Sequence, residues 1–290
     1  MDNKGIMSSE IIILLIIIVL IIGIIASFNE RSSNKINEKI SSENIEKKAI
    51  EFCDNLMNNP GTPVNWQELK NKNNIIVGLS LIDENNQSVV NSVDYSKLMA
   101  LSADYDKLIT KNVFNNQYKS SITLSPLTGS VPIIELGDSD LENPTTVNRL
   151  VTCDFFKKYT LNSFKKDGEC NHYHITTHSC NHFKVYKSWL KKMDYYLLFE
   201  PNSYNNYTWS MDSTEIPDIP KKASDDKIYL NDEIEGKILL SNNGIMFVHI
   251  NQENPKAVIV AVPKDFDKSK LCYDYFVPTE CNLKVQIAKV

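Results

Sequence analysis

From Ile11 to Phe28 the chain reads IIILLIIIVLIIGIIASF, 18 residues without a charge and with Ser27 as the sole polar side chain. A run of this kind is predicted to cross a bilayer, whose hydrocarbon core takes roughly 20 residues of helix. It is longer than the apolar core of a cleaved secretory signal, about 7–15 residues, and no small-x-small cleavage pattern follows it. β-Branching weakens helix propensity in water, but a spanning segment must satisfy every backbone group internally, so helix is the predicted conformation. Arg31, Lys35, Lys39, Lys47 and Lys48 follow the run. Taken alone, that bias places the rest of the chain in the cytoplasm.

The whole-chain averages conceal this asymmetry. Over 290 residues, 42% are hydrophobic, yet the mean hydropathy is only −0.28. The length allows one large or two modest domains, and the apolar content excludes wholesale disorder. With 31 Lys+Arg against 36 Asp+Glu the net charge is −5. A nucleic-acid partner is not expected, since that calls for a basic stripe. Arg31 and Arg149 are the only arginines, a poor supply of bidentate phosphate clamps.

Residues 29–58 contain no Pro or Gly, and Ile36, Ile40, Ile45, Ala49, Phe52 and Leu56 recur at spacings of three to five. That is the pattern of an amphipathic helix, which Asn58-Asn59-Pro60-Gly61 should stop. Joined to the apolar run, it predicts one continuous helix over 6–58, roughly 80 Å long at about 1.5 Å per residue.

The residues before the run are MDNKGIMSSE, with Lys4-Gly5 and then Glu10 at the apolar threshold. A carboxylate in that place invites a functional reading with a named partner. This short basic leader, Gly and Glu before an uninterrupted helix resembles the class III signal peptide of type IV pilins, and the absence of Pro from the span resembles the archaeal branch. The resemblance implies cleavage between Gly5 and Ile6 by a prepilin peptidase, Glu10 as an assembly carboxylate that meets the freed Ile6 amine of a neighbouring copy, and a head outside the cell. CDNLMNNPGTPVNW (53–66) is similar to the helix-to-head junction of larger archaeal pilin-like surface proteins, a likeness extending over about 53–125.

Within the head, IIVGLSLI (75–82) reads as a strand and DYSKLMALSADYDKLI (94–109) as a helix capped by Asp94. YKSSITLS, VPIIEL, RLVTCDFF, FKVYKSWL, YYLLFE, KIYL, IMFVHI, AVIVAVP and LKVQIAKV read as strands by their β-branched and aromatic content. The fold class expected is therefore α+β: a long N-terminal transmembrane and stalk helix, then a β-dominated mixed head. The expected divisions are a leader at 1–5, the helix at 6–58, and an extracellular head at 59–290 with a sub-boundary near 137–147.

The six cysteines are Cys53, Cys153, Cys170, Cys180, Cys272 and Cys281. An even number in a head outside the cell suggests disulfides. Cys170 with Cys180 and Cys272 with Cys281 bracket short loops, which leaves Cys53 and Cys153 to tie stalk to head. CNHYHITTHSCNH also gathers His172, His174, His178 and His182 around two cysteines. Thiolate and imidazole suit zinc, although the spacing matches no standard finger or HExxH helix. A disulfide loop, a metal site and a solvated loop remain open. Asn86-Gln87-Ser88 and Asn206-Tyr207-Thr208 match the N-glycosylation sequon.

The chain holds no GxSxG and no Gly-rich phosphate loop, and has 9 Gly in all. No cofactor and no enzymatic activity are expected. The function expected is a structural or adhesive type IV pilin-like subunit, minor or tip-located, single-pass in the cell membrane before assembly into a surface filament. Its partners would be membrane lipid, other pilin-like subunits and the prepilin peptidase, with no nucleic acid. The alternative, from another class, is a membrane-anchored extracellular enzyme or metal-binding protein that uses the Cys/His loop at 170–182.

Overall fold

The computed structural model describes residues 9–166, 179–214, 216, 219–238 and 241–290. Helix α1 runs Ser9–Asn58. The first half of the head then supplies strands β1 (Leu81–Ile82), β2 (Ser88–Val89) and β3 (Ser92–Asp94), helix α2 (Tyr95–Ala103) and strands β4 (Tyr118–Pro126), β5 (Ile134–Gly137) and β6 (Thr145–Asp154). The second half supplies β7 (Thr160–Ser163), β8 (Lys165–Lys166), β9 (Ser179–Tyr186), β10 (Met193–Phe199), β11 (Thr208–Ser213), β12 (Lys221–Lys222) and β13 (Lys227–Tyr229). It ends with α3 (Asn231–Lys237), β14 (Asn243–Ile250), β15 (Ala257–Pro263) and β16 (Thr279–Lys289).

Asp94 caps α2 as its sequence position predicts, accepting hydrogen bonds from the Ser96 and Lys97 backbone nitrogens. After α2 the chain makes a π-helical turn over Asp106–Lys111, so the single helix expected over 94–109 is two. The strand expected over 75–82 shrinks to Leu81–Ile82. Its other backbone groups bond elsewhere: Leu79 N donates to Leu56 O of α1 at 2.7 Å, and Leu79 O accepts from Asp94 N at 2.7 Å.

Among the described residues three sheets build the head, in the orders β3-β6-β16-β4-β5, β13-β10-β15-β7 and β12-β11-β14-β9-β8. A small β1-β2 ladder completes the set. Strand β16 lies between β4 and β6, so the end of the chain closes the sheet made by the first half of the head. The β13-β10-β15-β7 sheet is the middle layer. Tyr196, Leu198, Val258, Val260 and Val262 join one core, with Leu283, Val285 and Ile287 of β16. Tyr195, Leu197, Phe199, Ile259 and Ala261 join the other, with Trp209, Met211 and Val248. Burial on both faces explains why MDYYLLF and AVIVAVP are continuous apolar runs rather than alternating ones.

These observations correct the expected α+β class: the described fold is mostly β-sheet, and in the head the helices are short. They also correct the transmembrane reading. Among the described residues no helix is long and apolar enough to cross a membrane. The polar residues from Asn29 onward do not extend the apolar run. The expectation of a single-pass anchor with an extracellular head is set aside with it.

The disulfide expectation is corrected as well. Among the described residues no cysteine forms a disulfide. Cys272 Sγ lies 3.2 Å from Ser130 Oγ, whereas Cys281 Sγ is buried beside the Thr279 carbonyl at 3.5 Å. Cys53, Cys153 and Cys281 are fully buried in the first core, where each serves as a small apolar side chain. Burial pushes the Cys53 and Cys281 thiols from 9.0 up to about 11, and pushes Cys153 up further, so all three hold their protons at neutral pH. Cys170, the intended partner of Cys180, lies outside the described residues.

Candidate functional site

Helix α1 meets the head through its last turns. Ala49, Phe52, Cys53, Leu56 and Met57 are buried in the first core, with Ile45 half-buried beside them. Phe52 sets its ring 5.0 Å from that of Phe114. Arg149 of β6 reaches Asp54 Oδ1 at 3.2 Å through Nη2. Because the amphipathic stripe of residues 45–57 recurs every three to four positions, one face of the helix suffices for this contact.

The junction beyond Asn58 is built from backbone in close contact. Trp66, fully buried, donates from Nε1 to Gly78 O at 3.0 Å. Lys97 is 2% exposed, and its Nζ donates to Pro60 O at 2.8 Å and Ser80 O at 2.9 Å. Desolvation lowers the Lys97 pKa, with Asp94 acting against it. A helix end, a loop and α2 are thus joined by one ammonium group. Gly61 sits at φ +89, in the left-handed region that favours glycine, and there it makes room for Trp66. Beside the junction a groove of about 460 Å³ is lined by Phe52, Leu56, Ile76, Leu108, Val113 and others.

Earlier in α1 the picture inverts. Ile17, Ile18, Val19, Leu20, Ile21 and Ile24 are between 44% and 68% exposed. Scattered exposed aliphatic residues are ordinary, but here six of them lie within eight positions of one helix. Along its length α1 thus changes character: its last turns are buried in the head, whereas Ile17–Ile21 and Ile24 are exposed on turns whose consecutive positions point to all sides of the helix.

Glu10 lies in the first turns of α1, while Gly5, Ile6, His172, His174 and His178 lie outside the described residues. His182 is exposed on β9, its ring 5.9 Å from Phe247. Among the described residues no group of three or more His, Cys, Asp or Glu is placed to hold a metal. Asn86 is exposed in a turn at φ 60, and Asn206 is exposed in the short helix before β11.

Sequence reasoning missed one polar cluster. His249 of β14 is 4% exposed, and its Nε2 lies 3.0 Å from Asp212 Oδ2 of β11. Both stand on the face of the β12-β11-β14-β9-β8 sheet opposite Met211, Met246 and Val248, which fill the second core. The signal was present in the alternation of IMFVHI, where His249 takes the parity of Phe247 rather than that of Val248. No protein-family model matches the chain, and neither a curated protein nor a solved structure matches it.

Proposed function

We propose that the chain is a non-enzymatic structural or adhesive subunit, pilin-like in plan, that joins a filament through α1 and displays the β-rich head. The observation that carries this reading is the exposed apolar surface at Ile17–Ile21 and Ile24 on a helix whose other end is buried in its own head. An aliphatic side chain of this size gains about 1.5–3 kcal/mol on leaving water. Helices of neighbouring subunits, copies or relatives, supply matching apolar surface. A head of some 230 residues is too bulky to repeat at every position along such a core, which favours a minor or tip-located subunit. The Lys4-Gly5 leader makes a prepilin peptidase the processing partner in the same reading.

Glu10 tests the proposal. Drawn among packed helices, its carboxylate loses water and costs several kcal/mol unless a cation meets it. The amine of Ile6, freed by cleavage after Gly5, is such a cation when it belongs to the next subunit. Glu10→Ala is expected to be processed normally but incorporated poorly in a co-assembly assay with tagged wild type. Glu10→Asp should retain partial incorporation. Equal incorporation of the Ala variant and wild type would overturn this use of Glu10.

A further inference from the structure

Strands β9, β14 and β11 are adjacent and antiparallel, so residues in register share a face and stand close together. Cys180 is the register partner of His249, and His249 is in turn the partner of Ser210. Side chains directly opposite on such strands have Cβ atoms about 4.5–5.5 Å apart, within reach of one another. Next along β11 on the same face is Asp212, whose Oδ2 is 3.0 Å from His249 Nε2. The order across the sheet is thiol, imidazole, carboxylate. Nucleophile, base and orienting acid stand in that sequence wherever a thiol is activated by a neighbouring base.

Burial reinforces the arrangement. His249 and Ser210 are each 4% exposed, so the imidazole is held in one orientation by Asp212 rather than turning in solvent. Cys180 is only half-buried, unlike Cys53, Cys153 and Cys281, which are sealed in the first core. Among the described side chains, the other charged or titratable groups on this face are His182, Lys184 and Tyr186 of β9 and Lys222 of β12. An imidazole neighbour that accepts the proton raises a thiol's thiolate fraction.

We infer that Cys180 is a reactive thiol, activated by His249 with Asp212 as the positioning residue, and that it is a site of modification by low-molecular-weight disulfides. In the step, His249 takes the Sγ proton and the thiolate attacks one sulfur of the disulfide RSSR. A Cys180 Sγ–S bond forms, the S–S bond breaks, and the departing RS⁻ takes the proton back from the imidazolium. The net change is Cys180–SH plus RSSR to Cys180–S–SR plus RSH, with Cys180 oxidised and the disulfide reduced. His249 is a base rather than a consumed reactant, and no further oxidant enters.

The test uses the full chain under native conditions with 4,4′-dithiodipyridine as the disulfide probe, followed by peptide mass spectrometry. Cys180 should be labelled first, and its rate should stay high down to a pH at least one unit below that of an ordinary thiol near 8.5. His249→Asn should slow labelling at pH 7 by at least tenfold and move the pH profile back toward the ordinary value. Asp212→Asn should shift the profile part of the way. Should either variant fail to fold, the wild-type profile decides alone. An ordinary profile for Cys180, or labelling of Cys272 before Cys180, would overturn the inference.

Discussion

Replacing Val19, Leu20 and Ile24 together by Gln should abolish assembly while leaving the head intact. These are the three most exposed aliphatic side chains described in the apolar run, at 65%, 60% and 68%. Gln keeps a straight chain and good helix propensity, so α1 is not broken by the change. What is removed is the apolar surface that a neighbouring helix would cover. At about 1.5–3 kcal/mol for each buried aliphatic side chain, the trio is worth roughly 5 kcal/mol or more to association. That corresponds to about a thousandfold or greater weakening. Sedimentation velocity should show assemblies for wild type and a monomer for the triple variant. The thermal midpoint of the head should move by no more than about 2 °C, because none of the three touches its core. Assembly retained by the variant would mean that the head, not α1, makes the contacts.

Gly78→Ala should be strongly destabilising to the head. A Cβ at that position would lie 2.0 Å from Asn59 O, 2.6 Å from Asn59 C and 2.6 Å from Gly61 N. All three are backbone atoms, so no flexible side chain can swing aside. Relief means moving the segment after α1 away from residues 77–79. That movement strains the Trp66 Nε1 to Gly78 O bond of 3.0 Å and the Lys97 bond to Pro60 O of 2.8 Å. Forced overpacking of this sort costs about 3 kcal/mol, and leaving Lys97 short of an acceptor adds to it. For a domain of this size the melting midpoint should fall by about 6–12 °C. A fall of under 2 °C in calorimetry would show that the junction is looser than its contacts indicate.

Much of the head was legible because its strands carry their burial in their spelling. LKVQIAKV alternates, and β16 indeed buries Leu283, Val285 and Ile287 on one face. YYLLFE and AVIVAVP do not alternate, which fits a middle layer covered on both sides. Where reading failed, tertiary context decided. IIVGLSLI has strand composition, yet its backbone is committed to the end of α1, to Trp66 and to Asp94. TWSMDS was passed over because its polar residues hide the buried Trp209 and Met211. Paired cysteines in a sequence predict bridges, but three of these thiols are core side chains that happen to share a cluster. His249 escaped notice because the alternation of IMFVHI gives the face it takes but not what meets it there, and only the β11–β14 register brings Asp212 to it.

The membrane reading failed for a different reason. Hydropathy registers that side chains avoid water, not what they avoid it with. A helix covered by lipid and one covered by other helices share the same apolar composition, and the leader and Glu10 add nothing that separates them. The exposed apolar surface of α1 is thus a statement about contact, with the contacting surface to be found by experiment.

Photo-cross-linking from position 21 makes that experiment direct. Ile21 is 50% exposed in the middle of the described apolar surface. With p-benzoylphenylalanine in its place and assembled protein irradiated, the adducts identified by peptide mass spectrometry should join position 21 to the apolar helix of another subunit. Adducts confined to the same chain, or none between subunits in material that is demonstrably assembled, would contradict an assembly role for α1.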